Sequence, residues 1–127
     1  MSTAFVVFLG GGAGSVCRYM LARHLSGNNY SEMHFPWGTF AANTLSCLLL
    51  GLLIEKLDRT PGLEIYKWLF IAGFCGGFST FSSFIWEWIA YARNNMYTEG
   101  MVYILVSFMA GIASMTIGMF LYKSFPG

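Results

Sequence analysis

Four long stretches of this chain are almost bare of charge, and that leaves little choice of fold. Residues 35 to 54 contain no Asp, Glu, Lys, Arg or His, and neither do Trp68 to Trp86 nor Gly100 to Tyr122. A fourth stretch, Thr3 to Leu25, carries Arg18 and Arg23 only towards its end. A helix crossing the hydrocarbon core of a bilayer needs about 20 mostly apolar residues, and each stretch reaches that length. The chain therefore reads as an all-α integral membrane protein. It is expected to form a single transmembrane domain over residues 1–127, with helices over about 3–25, 36–54, 66–92 and 100–122. A transmembrane strand barrel would alternate polar and apolar residues with period two, and no such alternation runs through these segments.

Composition agrees. The 127 residues are 56% hydrophobic and 10% charged, against about 25% charged in an ordinary soluble domain. A net charge of +1 offers no basic surface for nucleic acid. Cys17, Cys47 and Cys75 are far apart inside apolar runs, so they read as free small hydrophobes. No Lys or Arg precedes the apolar start of the chain, which argues against a cleaved signal peptide. The connections, around Ser26–Phe35, Glu55–Lys67 and Arg93–Glu99, are too short for another domain. Trp37, Tyr66, Trp68, Trp86, Trp88, Tyr91, Tyr97 and Tyr122 gather towards the run ends, as an interfacial aromatic belt does.

Four crossings put Lys56, Arg59, Lys67 and Lys123 on one side and Arg18, Arg23 and Arg93 on the other. The basic excess that fixes orientation is nearly absent, so insertion in both directions is expected beside the plainer reading of one weakly favoured orientation.

Several residues inside the spans invite chemistry. Gly10-Gly11-Gly12-Ala13-Gly14-Ser15 lacks the preceding strand of a dinucleotide fingerprint. Its four-residue glycine spacing suits close helix approach instead. Arg18 has two readings: a snorkelling cation, or a charge at the mouth of an aqueous vestibule that concentrates anions. Thr39, Asn43 and Ser46 share one face of the second helix, either as interhelical glue or with the Asn43 amide donating to an anion.

The third span holds Gly73-Phe74-Cys75-Gly76-Gly77-Phe78-Ser79-Thr80-Phe81-Ser82-Ser83-Phe84. A glycine pair followed by four hydroxyl residues makes a poor continuous helix. Irregular backbone at membrane depth survives only under protein or beside water. Phe81 and Phe84 are three apart on one face; they fill core, or turn positive ring edges towards an anion. Glu87, an acid within a span, is a proton carrier or a hydrated interfacial carboxylate. The last helix carries Tyr103, Ser107, Gly111, Ser114 and Thr116, which form either a hydroxyl track along one face or helix-packing contacts.

Together these motifs resemble the fluoride channels of the CrcB (Fluc) family over nearly the whole chain. The first helix matches through Gly10-Gly11-Gly12-x-Gly14-x-x-x-Arg18-Tyr19 and the second through Gly38-Thr39-Phe40-x-x-Asn43. The third-span run from Gly73 to Phe84 is the most specific match, and Tyr103 and Ser107 fit the fourth helix. The resemblance implies an antiparallel, dual-topology homodimer in the lipid bilayer with two pores that pass fluoride. Asn43, Phe81, Phe84, Ser82, Ser83 and Ser107 would line the pores. The backbone carbonyls of Gly76 and Ser79 would hold a structural sodium ion (Na+) at the dimer interface. Gly111 stands where some members carry a hydroxyl, which leaves that part of the pore open.

The physics of fluoride suits such residues, since a small, strongly hydrated anion needs donors in place of its water and sites weak enough to release it. Two rivals compete. A small multidrug-type proton-coupled exporter would carry an acid in the first helix, and Thr3–Leu25 has none. A noncatalytic membrane assembly subunit would use the same residues for packing alone. Enzyme function is not expected, as no nucleophile–base pair stands out; His24 and His34 lie near the first loop and read as solvent-facing.

Overall fold

A computed structural model describes residues 2–26 and 35–124. His34 and the rest of the first connection, 27–34, lie outside the described residues, as do 1 and 125–127. Regular structure among the described residues is helical throughout. Helix α1 is Thr3–Ser26 and α2 is Trp37–Arg59. Helix α3 (64–78) begins with the α-helical turn Glu64–Tyr66, continues as a π-helix over Lys67–Cys75 and closes with Gly76–Phe78. Helix α4 is Phe81–Arg93 and α5 is Tyr97–Ser124.

Among the described residues, four segments are long and apolar enough to cross a membrane: Thr3–Leu25, Trp37–Asp58, Glu64–Arg93 and Tyr97–Ser124. At about 1.5 Å per residue, the shortest, 22 residues, reaches about 33 Å against a hydrocarbon core of about 30 Å. Pro36 stands just before α2 at its N-cap position. The helix continues past Ile54 to Arg59, and Leu57 in that last turn is buried.

Two glycine seams set how the helices meet. A Cβ at Gly10 would lie 2.1 Å from the Leu69 carbonyl oxygen, and one at Gly14 would lie 2.2 Å from that of Phe74. Real side chains never approach backbone so closely, so the backbones of α1 and α3 touch only because these positions are glycine. The second seam joins α2 to α5: a Cβ at Gly51 would meet the Met115 carbonyl at 2.3 Å, and one at Gly118 the Leu48 carbonyl at 2.5 Å. The i, i+4 spacing of Gly10 and Gly14 thus serves close approach.

Between α3 and α4 the chain leaves the helical conformation for two residues. Ser79 (φ −78°, ψ 158°) and Thr80 (φ −152°, ψ 117°) are extended. At the end of α4, Asn95 takes a left-handed φ of 58°. The Met96 amide then reaches back to the Tyr91 carbonyl at 2.9 Å and closes the turn into α5.

The interior is small: Phe84, Tyr91 and Tyr103 form its aromatic centre, with Phe35, Phe40, Met96 and Ile104 packed around them. Much of the outside is apolar. Phe8, Met109, Ile112 and Phe120 are all exposed, a surface that water would not tolerate and that lipid or another apolar face covers.

Candidate functional site

The polar face of α2 reaches α3 and α4 at three levels. Ser46 Oγ donates to the Cys75 carbonyl at 3.2 Å, below the extended pair. Asn43 meets the pair itself: Nδ2 donates to the Thr80 carbonyl at 3.1 Å, while Oδ1 accepts from the Thr80 amide at 2.7 Å. One turn further, Thr39 Oγ1 donates to Glu87 Oε1 at 2.5 Å. Glu87 Oε2 accepts from the Tyr103 hydroxyl of α5 at 2.7 Å. The carboxylate therefore has a donor on each oxygen, as an acid at membrane depth requires.

The end of α3 can be accounted for carbonyl by carbonyl. The Cys75 carbonyl accepts from the Ser79 amide at 3.0 Å, the Ser79 hydroxyl at 2.8 Å and Ser46. The Gly77 carbonyl accepts from Arg18 Nε at 3.1 Å and Ser15 Oγ at 3.4 Å. A helix would close on the Gly76 carbonyl with the Thr80 amide, which is bonded to Asn43 instead. It would close on the Ser79 carbonyl with the Ser83 amide, which donates to Thr80 Oγ1 at 3.2 Å as an N-cap. Both carbonyls have lost their intrahelical donors to side chains. Among the described residues no group of three or more His, Cys, Asp or Glu is placed to hold a metal. Carbonyl oxygens fit a hard cation such as sodium in a way that the cysteine thiols do not.

The remaining candidates divide. Thr80 Oγ1 donates to Ser83 Oγ at 3.1 Å and lies 3.4 Å from Ser82 Oγ, so these hydroxyls gather on the first turn of α4. Phe84 is buried, its ring centroid 5.0 Å from Tyr103 and 6.2 Å from Phe108. Phe81 is 73% exposed although its ring lies 6.2 Å from that of Phe84. Ser107 stands one turn beyond Tyr103; its buried Oγ has no hydrogen-bond partner. Arg18 is half-buried against α3 rather than extended along α1 to the helix end. Gly111 faces the Cys47 sulfur, to which a Cβ would come within 3.6 Å. Thr116 bonds to the Ile112 carbonyl of its own helix at 2.8 Å and is exposed. His24 is exposed.

The sequence carries no sign that Asn43 pairs with Thr80, nor that Thr39 and Tyr103 both close on Glu87. Glu87 carried the usable signal: a carboxylate inside a span needs donors, and Thr39 lies one helical turn from Asn43 on the face already recognised.

Four crossing helices, an apolar exterior and polar groups gathered at one helix interruption define a small multi-pass membrane protein. The chain belongs to the CrcB-like family: the model described as "CrcB-like protein, Camphor Resistance (CrcB)" matches residues 5–119. It is 36% identical over 121 residues to a protein of Phocaeicola vulgatus named fluoride-specific ion channel FluC, covering 95% of this chain and 98% of that one. Proteins of the same name from Gloeothece citriformis (36% over 127 residues, 97% and 98% covered) and Flavobacterium psychrophilum (37% over 124 residues, 97% and 98% covered) are equally similar.

Proposed function

We propose that this chain is a fluoride-selective ion channel that lets fluoride leave the cell passively across the plasma (inner) membrane and so relieves its toxicity. Family membership and full-length similarity to proteins named fluoride-specific ion channels support the substrate. The structural observation that carries the reading is Ser107: a buried hydroxyl without a partner is costly to leave unmet, and an anion held against it satisfies it. Asn43, Ser82, Ser83 and the ring edges of Phe81 and Phe84 supply the other partial positive charge. None is a full cation, so the ion is held weakly enough to move on.

The functional unit is an antiparallel dual-topology homodimer, supported by the four-to-three balance of basic residues and by the exposed apolar face of α5. The interruption at Ser79–Thr80 is the functional break of the third crossing. Gly76 and Ser79 offer their carbonyls to sodium at the subunit interface, where a bound cation supplies structural charge that ties the two breaks together. Reconstitution tests the reading: liposomes containing the protein release fluoride rapidly and retain chloride. Equal rates for both ions, or no fluoride release by well-assembled protein, overturn it.

A further inference from the structure

Arg18 has a partner that neither a vestibule nor snorkelling explains. Gly11, Ser15 and Arg18 fall at i, i+4 and i+7, on one face of α1, and all three close on one residue of α3. A Cβ at Gly77 would lie 2.3 Å from the Gly11 carbonyl oxygen. Ser15 Oγ and Arg18 Nε both donate to the Gly77 carbonyl, at 3.4 and 3.1 Å. Gly77 is the most permissive backbone in the chain's most delicate place, two residues before the extended pair. Left alone, its peptide would be free to rotate, and the Gly76 and Ser79 carbonyls on either side would rotate with it. A guanidinium at a helix C-terminus also complements the negative end of the helix dipole.

We infer that Arg18 is a positioning residue: with Gly11 and Ser15 it fixes the Gly77 peptide, and through it the geometry of the carbonyls that hold sodium. This rests on the sodium assignment above and deepens it. Arg18 Nε is a planar donor of fixed direction, whereas a lysine keeps the charge on a flexible stem without that donor. Charge and clamp are therefore separable by one substitution.

The test reads sodium-dependent thermal stabilisation of the purified protein, titrating sodium chloride against N-methylglucamine chloride, with fluoride efflux measured on the same preparations. In Arg18→Lys the sodium concentration for half-maximal stabilisation rises about ten-fold, the scale of one lost charge-assisted hydrogen bond, and saturating sodium restores fluoride efflux. Ser15→Ala, which removes the longer bond, moves the same midpoint in the same direction by about two-fold and serves if Arg18→Lys does not assemble. A sodium midpoint unchanged or lowered in these variants overturns the inference. So does an Arg18→Gln protein whose only defect is a higher half-saturating fluoride concentration, since that is an anion collector's signature. A native protein with no sodium response at all overturns the sodium assignment and this inference together.

Discussion

Asn43 and Thr80 exchange a pair of hydrogen bonds, side chain to backbone, so that a single amide from α2 stands in for the missing helical partner of an extended residue. The arrangement copies a sheet ladder with one side chain. It satisfies both backbone polar groups of Thr80 at membrane depth, where an unmet group costs several kcal/mol.

The Asn43→Asp substitution separates the two halves of that pair. The carboxylate still accepts from the Thr80 amide, but its second oxygen faces the Thr80 carbonyl at the 3.1 Å now spanned by a donor. Loss of the bond with acceptor set against acceptor destabilises the fold by about 1–3 kcal/mol and lowers fluoride efflux. Thermal unfolding in detergent and liposome efflux measure the two effects. A native unfolding midpoint would mean that the pairing does not hold the extended segment.

The two adjacent glycines behave differently on substitution. A Cβ at Gly77 meets Gly11 backbone at 2.3 Å, and backbone does not yield as a flexible side chain does. A Cβ at Gly76 meets nothing nearer than the Ile71 carbonyl at 4.0 Å. Gly77→Ala, and Gly77→Val more severely, therefore fails to assemble, while Gly76→Ala leaves each protomer folded. If Gly76 sits at a subunit interface, its alanine variant loses dimer on size exclusion while its helical circular dichroism stays native. Equal yields of native dimer from both alanine variants would refute the assignment.

How far the sequence reached depends on what each signal measures. The four crossings were legible because length and absence of charge are local properties. The face of Thr39, Asn43 and Ser46 was legible because helical spacing fixes which residues point together. What they point at is a long-range fact, and four similar hydroxyls between Ser79 and Ser83 gave no reason to choose Thr80. The π-helix over Lys67–Cys75 had no periodic trace, since that stretch is apolar on every side after Lys67. Arg18 was placed by distance from a helix end, whereas the structure places it by the carbonyl it serves.

The carboxylate of Glu87 depends on two hydroxyls from different helices, and each can be removed singly. Tyr103→Phe preserves the ring against Phe84 and Tyr91 but leaves Oε2 unmet. Thr39→Val does the same to Oε1. Each costs about 1–3 kcal/mol for the unmet buried oxygen. The double variant with Glu87→Gln recovers part of the loss, because a neutral amide is cheaper to leave short of donors. Double-mutant cycles by thermal unfolding check this; strictly additive losses would show that the three groups do not act as one network.

The proposed insertion in both directions rests on a four-to-three count of basic residues. Reporters fused to the C-terminus, one active only on each side of the membrane, should both report activity. Two or three lysines added to the Ser26–Phe35 connection bias the population to one orientation and reduce efflux by starving the dimer of one partner. A single active reporter in the native chain rejects dual topology.

Phe81 and Phe84 are neighbours whose surroundings differ, and that difference sharpens the test of whether rings conduct. Three residues along a helix turn through about 300°, so the two side chains diverge by about 60°. That is enough for Phe84 to enter the aromatic interior while Phe81 stays outside it. Phe84→Ile removes ring contacts with Tyr103 and Phe108, and stability falls by about 1–3 kcal/mol whether or not the ring meets fluoride. Phe81→Ile, 73% exposed in the protomer, should leave protomer stability within about 0.5 kcal/mol of native. Its effect on efflux is therefore the clean measurement. A pore ring edge at this position predicts severely reduced fluoride release from Phe81→Ile protein with native dimer yield and unfolding midpoint. Fluoride release at the native rate from that same well-assembled variant would remove Phe81 from the conduction path.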